Sequence, residues 1–317
     1  MRRLKKLAIA LGIALAAVLA VGAYGWYVQP ALLVVPLRQV GYWSLGVQSR
    51  TVQADGVEWP YLEAGAPDAP PIVLLHGFGT SKDAMMMMMP AMAKAGFRVL
   101  APDLPGFGAH PFHAGKDHTQ QFYVEQLTHF LDAVNAPQVV VIGTSMGGAL
   151  SAELALEHPE RVRALAMLSP AGVEPPVHNA FMQRVDSGQN PLDIATAEDF
   201  DAVVQLVFLR PPTVPQPYRT WMVEQALERR PQTLAIVESL RPFLRDGLRG
   251  RMNQVKCPTL VLYGQQDAVT DPSMLQVFHA ELPTATAVTV PNAGHVAFSD
   301  NWPGVWSHVQ PFLAGLR

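Results

Sequence analysis

The chain has 317 residues, enough for one large domain or two small ones at ~150 residues each. Apolar residues make up 49% and charged residues 15%, which excludes a disordered chain. The net charge of −3 lacks the basic footprint of a nucleic-acid binder, and the single cysteine, Cys257, excludes a disulfide framework or a thiolate metal cluster.

Arg2, Arg3, Lys5 and Lys6 open the chain, and residues 7–37 carry no charge. The run 7–28 is apolar or Gly almost throughout, and a helix of ~20 such residues crosses a bilayer. Tyr24, Trp26 and Tyr27 close the run, where interfacial aromatics belong. A cleaved signal peptide is the competing reading, with Val21-Gly22-Ala23 as its cleavage site. The run continues past that site, which favours an uncleaved anchor. A buried core helix fits less well with four basic residues directly ahead. The basic residues would stay in the cytoplasm, so everything after Pro30 is expected on the far side, periplasmic in a bacterium, or secreted if the segment is cleaved. Residues 38–317 are mildly acidic and offer no polybasic surface to anionic lipid. Membrane attachment is therefore expected to rest on this helix alone.

Beyond residue 45 the pattern alternates. Short apolar runs at 72–75, 97–101, 139–142, 164–168, 259–263 and 287–290 read as strands of a sheet buried on both faces. Helical stretches are expected at 120–135, at 146–158 before Pro159, and at 302–316. Residues 51–62 fit a hairpin around Asp55-Gly56. This alternation implies an α/β fold, an open and mostly parallel sheet wrapped by helices. From 171 to 251 no strand appears. Phe200, Val203, Val204, Val207 and Phe208 follow helical spacing, and Thr196 ahead of Glu198 and Asp199 suits a helix start. The organisation read from this is an N-terminal segment at 1–37, a core at 45–170 and 252–317, and a helical cap at 171–251.

Gly143-Thr144-Ser145-Met146-Gly147 fits G-x-S-x-G. The pattern alone is weak, since a phosphate cradle or a plain turn also carries glycines. Placed after a strand and opening a helix, it is the context of a nucleophile elbow. A serine hydroxyl needs a base, in the chain order Ser, then Asp or Glu, then His. Asp267 follows the strand at 259–263 and His295 the strand at 287–290, both just past strand carboxyl ends where ligands bind in such sheets. Asp267 also suits a turn or helix cap, although Asp271 before Pro272 is the better cap. A lone histidine in the place of His295 would read as a packed loop residue. His76-Gly77-Phe78-Gly79 follows the strand at 72–75, so the backbone N–H groups of Phe78 and Met146 are assigned to an oxyanion hole. The His76 side chain is expected to hydrogen-bond within its loop.

Other features have plain readings. His110, His113 and His118 lack the spacing and acidic partners of a metal site, so neither metal nor cofactor is expected. The five methionines from Met85 to Met89 read as adaptable core, with a flexible acyl-chain pocket as the second reading. Asp103-Leu104-Pro105-Gly106-Phe107-Gly108 reads as a structural loop.

These motifs resemble the α/β-hydrolase superfamily. Within it the chain is similar to the membrane-anchored monoacylglycerol lipase branch (the abhydrolase-domain-6 type) and related bacterial lipases. The resemblance rests on His76-Gly77-Phe78 with Lys82-Asp83, on the serine motif extended to Gly148, and on Ser169-Pro170-Ala171-Gly172. Phe181-Met182-Gln183-Arg184, Gly264-Gln265-Gln266-Asp267 and Asn292-Ala293-Gly294-His295 complete it. It implies an eight-stranded sheet with the cap inserted between strands 6 and 7. It also implies Ser145, Asp267 and His295 as a triad and carboxylic esters, monoacylglycerols above all, as substrates. Two other readings stay open: a carbon–carbon bond hydrolase of meta-cleavage products with the same triad, and a non-enzymatic binder on the same fold. Chain-length preference and oligomeric state have no sequence signal.

Overall fold

The computed structural model describes residues 2–316; residues 1 and 317, the outer limits of the expected organisation, lie outside the described residues. The chain opens with α1 (Arg2–Tyr27), long and apolar enough to cross a membrane, with a mean hydropathy of 2.4 over a stretch of which none is buried. A short turn leads to α2 (Ala31–Ser44). Sequence reasoning placed no helix there and drew a boundary at 37, which falls inside α2. The reason is that α2 is apolar on both sides and reads as the tail of the anchor. Its inner side buries Val34 and Tyr42, and Arg38 and the Tyr42 hydroxyl both donate to the Asp83 carboxylate.

β1 (Gln48–Ala54) and β2 (Val57–Ala64) form an antiparallel hairpin, longer at both ends than the stretch expected at 51–62. Asp55 and Gly56 turn it with φ of +50° and +74°, the left-handed pair that a tight hairpin requires. β3 (Pro71–Leu75), β4 (Arg98–Pro102), β5 (Val139–Thr144), β6 (Val162–Leu168), β7 (Thr259–Gly264) and β8 (Thr286–Val290) complete an eight-stranded sheet in the order β1-β2-β4-β3-β5-β6-β7-β8. β2 meets β4 antiparallel, and every pairing from β4 to β8 is parallel. Every residue of β5 and β7 is buried, which is why these strands read as unbroken apolar runs.

α3 (Met89–Lys94), α4 (Gln120–Ala133) and α5 (Met146–Glu157) connect the strands of the first half. Between β6 and β7 the chain is helical: α6 (Ala180–Asp186), α7 (Ala197–Val207) and α8 (Gln216–Asp246). Thr196 caps α7, its side chain accepting from the Asp199 N–H as the sequence suggested. α9 (Met274–Glu281), α10 (Ala297–Asp300) and α11 (Trp302–Ala314) follow.

Alternate residues of β3 feed two cores on opposite sheet faces, Val73 and Leu75 on one and Ile72 and Leu74 on the other. The first core takes in α4, α5 and, from α8, Ile236, Leu240 and Phe243. The second takes in α11, Tyr42 of α2, and Met85, Met88 and Met89. Those three methionines are fully buried, whereas Met87 is exposed. The core reading of the methionine run therefore holds for most of it. The two ends of the helical stretch are stitched together: Gly172 N–H donates to Leu244 O, Leu248 N–H returns to Gly172 O, and Arg251 forks onto the fully buried Glu153.

Candidate active site

Ser145 is the single residue between β5 and α5. Its φ of +54° and ψ of −119° lie where a side-chain-bearing residue is strained. The turn is possible because glycines flank it. A Cβ on Gly143 would come 2.1 Å from Gly147 O, and one on Gly147 would come 2.4 Å from Leu75 O. Ser145 N–H donates to Leu168 O at 3.0 Å, which ties the elbow to the end of β6.

Asp267 lies in the turn after β7, and His295 in the loop after β8; both are buried. Asp267 Oδ1 accepts from the N–H groups of Val269 and Thr270 at 2.9 and 3.0 Å. The turn reading and the acid reading of this aspartate thus describe one arrangement, since the turn orients the carboxylate. His295 Nδ1 lies 3.1 Å from Oδ1 and 3.0 Å from Oδ2 of Asp267. An ionised carboxylate only accepts, so Nδ1 carries the proton and Nε2 keeps its lone pair. That lone pair is what a general base uses. Among the described residues neither Ser145 Oγ nor His295 Nε2 has a hydrogen-bond partner, so the fold joins Asp267 to His295 and leaves the Ser145 hydroxyl unbonded. Asp271 accepts from Ser273 N–H in the turn that opens α9, a helix-start role it takes without occupying the N-cap itself.

The loop after β3 lies alongside the serine: a Cβ on Gly77 would be 3.4 Å from Ser145 Cβ. Among the described residues the N–H groups of Phe78 and Met146 have no acceptor, and Met146 opens α5, where unpaired N–H groups are expected. Two free donors flanking the serine can receive negative charge on an oxygen bonded to the attacked carbon. His76 secures this loop. Its Nε2 accepts from Leu104 N–H at 3.0 Å, so Nδ1 is the protonated nitrogen and donates to Gly77 O at 2.8 Å. Complete burial pushes its pKa down, in keeping with a neutral ring. The expected structural role of His76 extends beyond its own loop to the Asp103 loop. There Asp103, fully buried, accepts from Lys82 Nζ at 2.6 Å and from Ala109 N–H at 2.8 Å. Phe107 of that loop packs against both His76 and Phe78.

Two groupings gather side chains of the metal-ligating types, and in the first the Nε2 atoms of His110, His113 and His118 are buried without a hydrogen-bond partner among the described residues. Nδ1 of His110 and of His118 faces a backbone carbonyl, and the rings pack against Trp59, Phe112 and Phe122. Burial lowers both pKa values, that of His110 to about 4, so the rings are neutral and packed. Glu174, His178 and Asp186 bring three ligand-type side chains together, but Arg245 bonds to both carboxylates. That group is an ion-pair cluster clasping α6 to α8.

Sequence reasoning missed Thr270, whose hydroxyl touches the Asp267–His295 pair. The spacing of three from Asp267 fits a side chain folded back on the turn, but only the folded turn shows the contact.

The fold has close counterparts. A crystal structure described as a membrane phospholipase A, a bacterial virulence factor, superposes with a TM-score of 0.88 at 31% identity, covering 97% of this chain and 99% of that one. Lipase 1 of Psychrobacter immobilis is 28% identical over 257 residues, 80% of this chain and 79% of its own. Human monoacylglycerol lipase ABHD6 is 27% identical over 296 residues, 89% of this chain and 88% of its own. The profile of the α/β-hydrolase fold matches residues 70–301. With that match spanning most of its length, the chain belongs to the α/β-hydrolase fold family.

Proposed function

We propose that this protein is a serine ester hydrolase, a lipase or esterase, whose substrates are acylglycerols and in particular monoacylglycerols. The observation that carries the reading is the buried Asp267–His295 pair, hydrogen-bonded through Nδ1 and placed in chain order after a serine on a strained elbow. In the mechanism, Ser145 Oγ attacks the ester carbonyl while His295 Nε2 takes its proton. Asp267 holds the imidazole tautomer and stabilises the imidazolium. The oxyanion faces the N–H groups of Phe78 and Met146. His295 returns its proton to the leaving alcohol, then activates the water that cleaves the acyl-enzyme. No cofactor enters the scheme. Residues 171–251 serve as the cap over the acyl chain. α1 serves as the anchor, with the hydrolase on the non-cytoplasmic side of the membrane; mass spectrometry of membrane-extracted protein distinguishes this from a cleaved and secreted form.

A second reading, the ester bonds of phospholipids, is supported by the relative described as a membrane phospholipase A, which matches this chain over nearly its whole length, N-terminal helices included. The test is fatty-acid release by full-length protein in detergent from a monoacylglycerol chain-length series, a diacyl phospholipid, a soluble aryl ester and a meta-cleavage product. Ser145→Ala is the control and is expected to lose at least ~10⁴-fold in kcat. Serine-dependent release from monoacylglycerols supports the first reading, and release from the phospholipid alone supports the second. Turnover of the soluble ester alone removes the lipid assignment. Turnover of the meta-cleavage product alone assigns carbon–carbon bond hydrolysis, and no turnover leaves a binder.

A further inference from the structure

Thr270 grips both oxygens of one carboxylate. Its N–H lies 3.0 Å from Asp267 Oδ1, and its Oγ1 lies 2.8 Å from Asp267 Oδ2. The same Oγ1 is 3.1 Å from His295 Nδ1 and 3.1 Å from Ser169 O, and the residue is only 5% exposed. A hydroxyl has one proton to give. Of its two acceptors here the carboxylate is charged and nearer, and charge-assisted hydrogen bonds are the stronger ones, so the proton goes to Asp267. The grip fixes the carboxylate plane so that both oxygens stand almost equally far from His295 Nδ1. Threonine suits the task, because its branched Cβ restricts χ1 and keeps the hydroxyl in place.

We infer that Thr270 is a positioning residue for ester hydrolysis, acting through Asp267. The inference rests on the proposed triad. It assigns the hydroxyl two effects. It holds the carboxylate in line with the imidazole, which favours turnover. It also draws off part of the carboxylate charge, which keeps His295 from becoming too basic. The charge on Asp267 outweighs the neutral lone pair that Oγ1 offers to Nδ1–H, so loss of the hydroxyl makes His295 more basic.

Thr270→Val keeps the shape and removes the hydroxyl. In full-length protein acting on p-nitrophenyl butyrate, kcat is expected to fall about tenfold, or ~1.4 kcal/mol, with KM within about twofold. The acid limb of kcat/KM, which reports neutral His295, is expected to move to higher pH. Thr270→Ser is expected to restore both. A merely structural threonine would lower the folded fraction without moving the limb. An unchanged kcat and limb in Thr270→Val would overturn the inference. A limb moving to lower pH would also overturn it, since the hydroxyl would then act mainly as an acceptor from Nδ1–H. So would a loss that serine fails to restore. Failure of the triad itself is distinguishable, because Ser145→Ala would then keep its activity.

Discussion

Ser145 keeps its strained backbone because its neighbours leave it no other path. A methyl group on Gly147 would meet two backbone oxygens at the end of β3, Leu75 O at 2.4 Å and His76 O at 2.6 Å, and neither can swing aside as a side chain would. Gly147→Ala is therefore expected to cost ~3 kcal/mol or more, the upper range for overpacking. A shift of the urea midpoint at unchanged m-value checks it. The Lys82–Asp103 pair carries a second residue-scale prediction. Both side chains are buried, and Asp103 also receives the backbone N–H of Lys82. Lys82→Met strands a buried carboxylate and is expected to cost ~3–5 kcal/mol, read by the same denaturation. Activity is expected to fall as well, because Asp103 ties down Ala109 of the loop whose Phe107 packs against Phe78.

Among the elements, α2 belongs to the folded body as well as to the N-terminal segment. Tyr42 is only 2% exposed, and it shares Asp83 with Arg38. A chain beginning after α1 is expected to melt within a few degrees of the full chain, whereas one beginning after α2 is expected to melt at least ~5 °C lower. Calorimetry of both in the same detergent decides it; equal melting temperatures would make α2 a mere tether. This helix also marks where sequence reading stops. The strands were legible because burial on both faces gives them unbroken apolar runs, and β5 and β7 are the plainest cases. α5 was legible from its stop at Pro159, and α7 from its spacing and its start at Thr196. α2 was not, since a helix with one apolar side against protein and another outward has no amphipathic signature. α8 was not seen as one helix, because Pro231 and Pro242 interrupt it and sequence reasoning treats proline as a stop. At the site, Ser145, Asp267 and His295 stand in motifs at strand ends. Thr270 is legible only once the turn has folded its hydroxyl back onto Asp267.

For the molecule as a whole, several histidines are held neutral by burial. The pKa values of His76, His110 and His118 are all lowered, chiefly by desolvation, that of His110 from 6.5 to about 4. A lowered folded-state pKa means that the unfolded chain binds protons first. Stability is then full above about pH 6.5 and falls as the pH drops toward the folded values. For His110 alone the loss by pH 4 is about 3 kcal/mol. Unfolding free energies from pH 8 to pH 4 are expected to decline most steeply below 6.5, and His110→Phe is expected to flatten the slope. A slope that is unchanged in His110→Phe would count against the assignment.

α8 runs for 31 residues, about 46 Å at the helical rise. α1 and α2 pack against it, with Arg38 over the Trp221 ring 5.7 Å from its centre. Its far end holds Leu240 and Phe243 in the core and ends at Asp246, which receives Glu174 N–H from the other side of the stitched ends. α8 is thus a lever with one arm at the N-terminal helices and the other bonded through Leu244 O to Gly172, whose neighbour Ala171 donates its N–H to Ser145 O. Pro231 at its midpoint and Pro242 near its end each remove an amide donor from the rod, so its stiffness is lowest at these two points. A load applied through the N-terminal helices flexes the rod there first and reaches Gly172 softened.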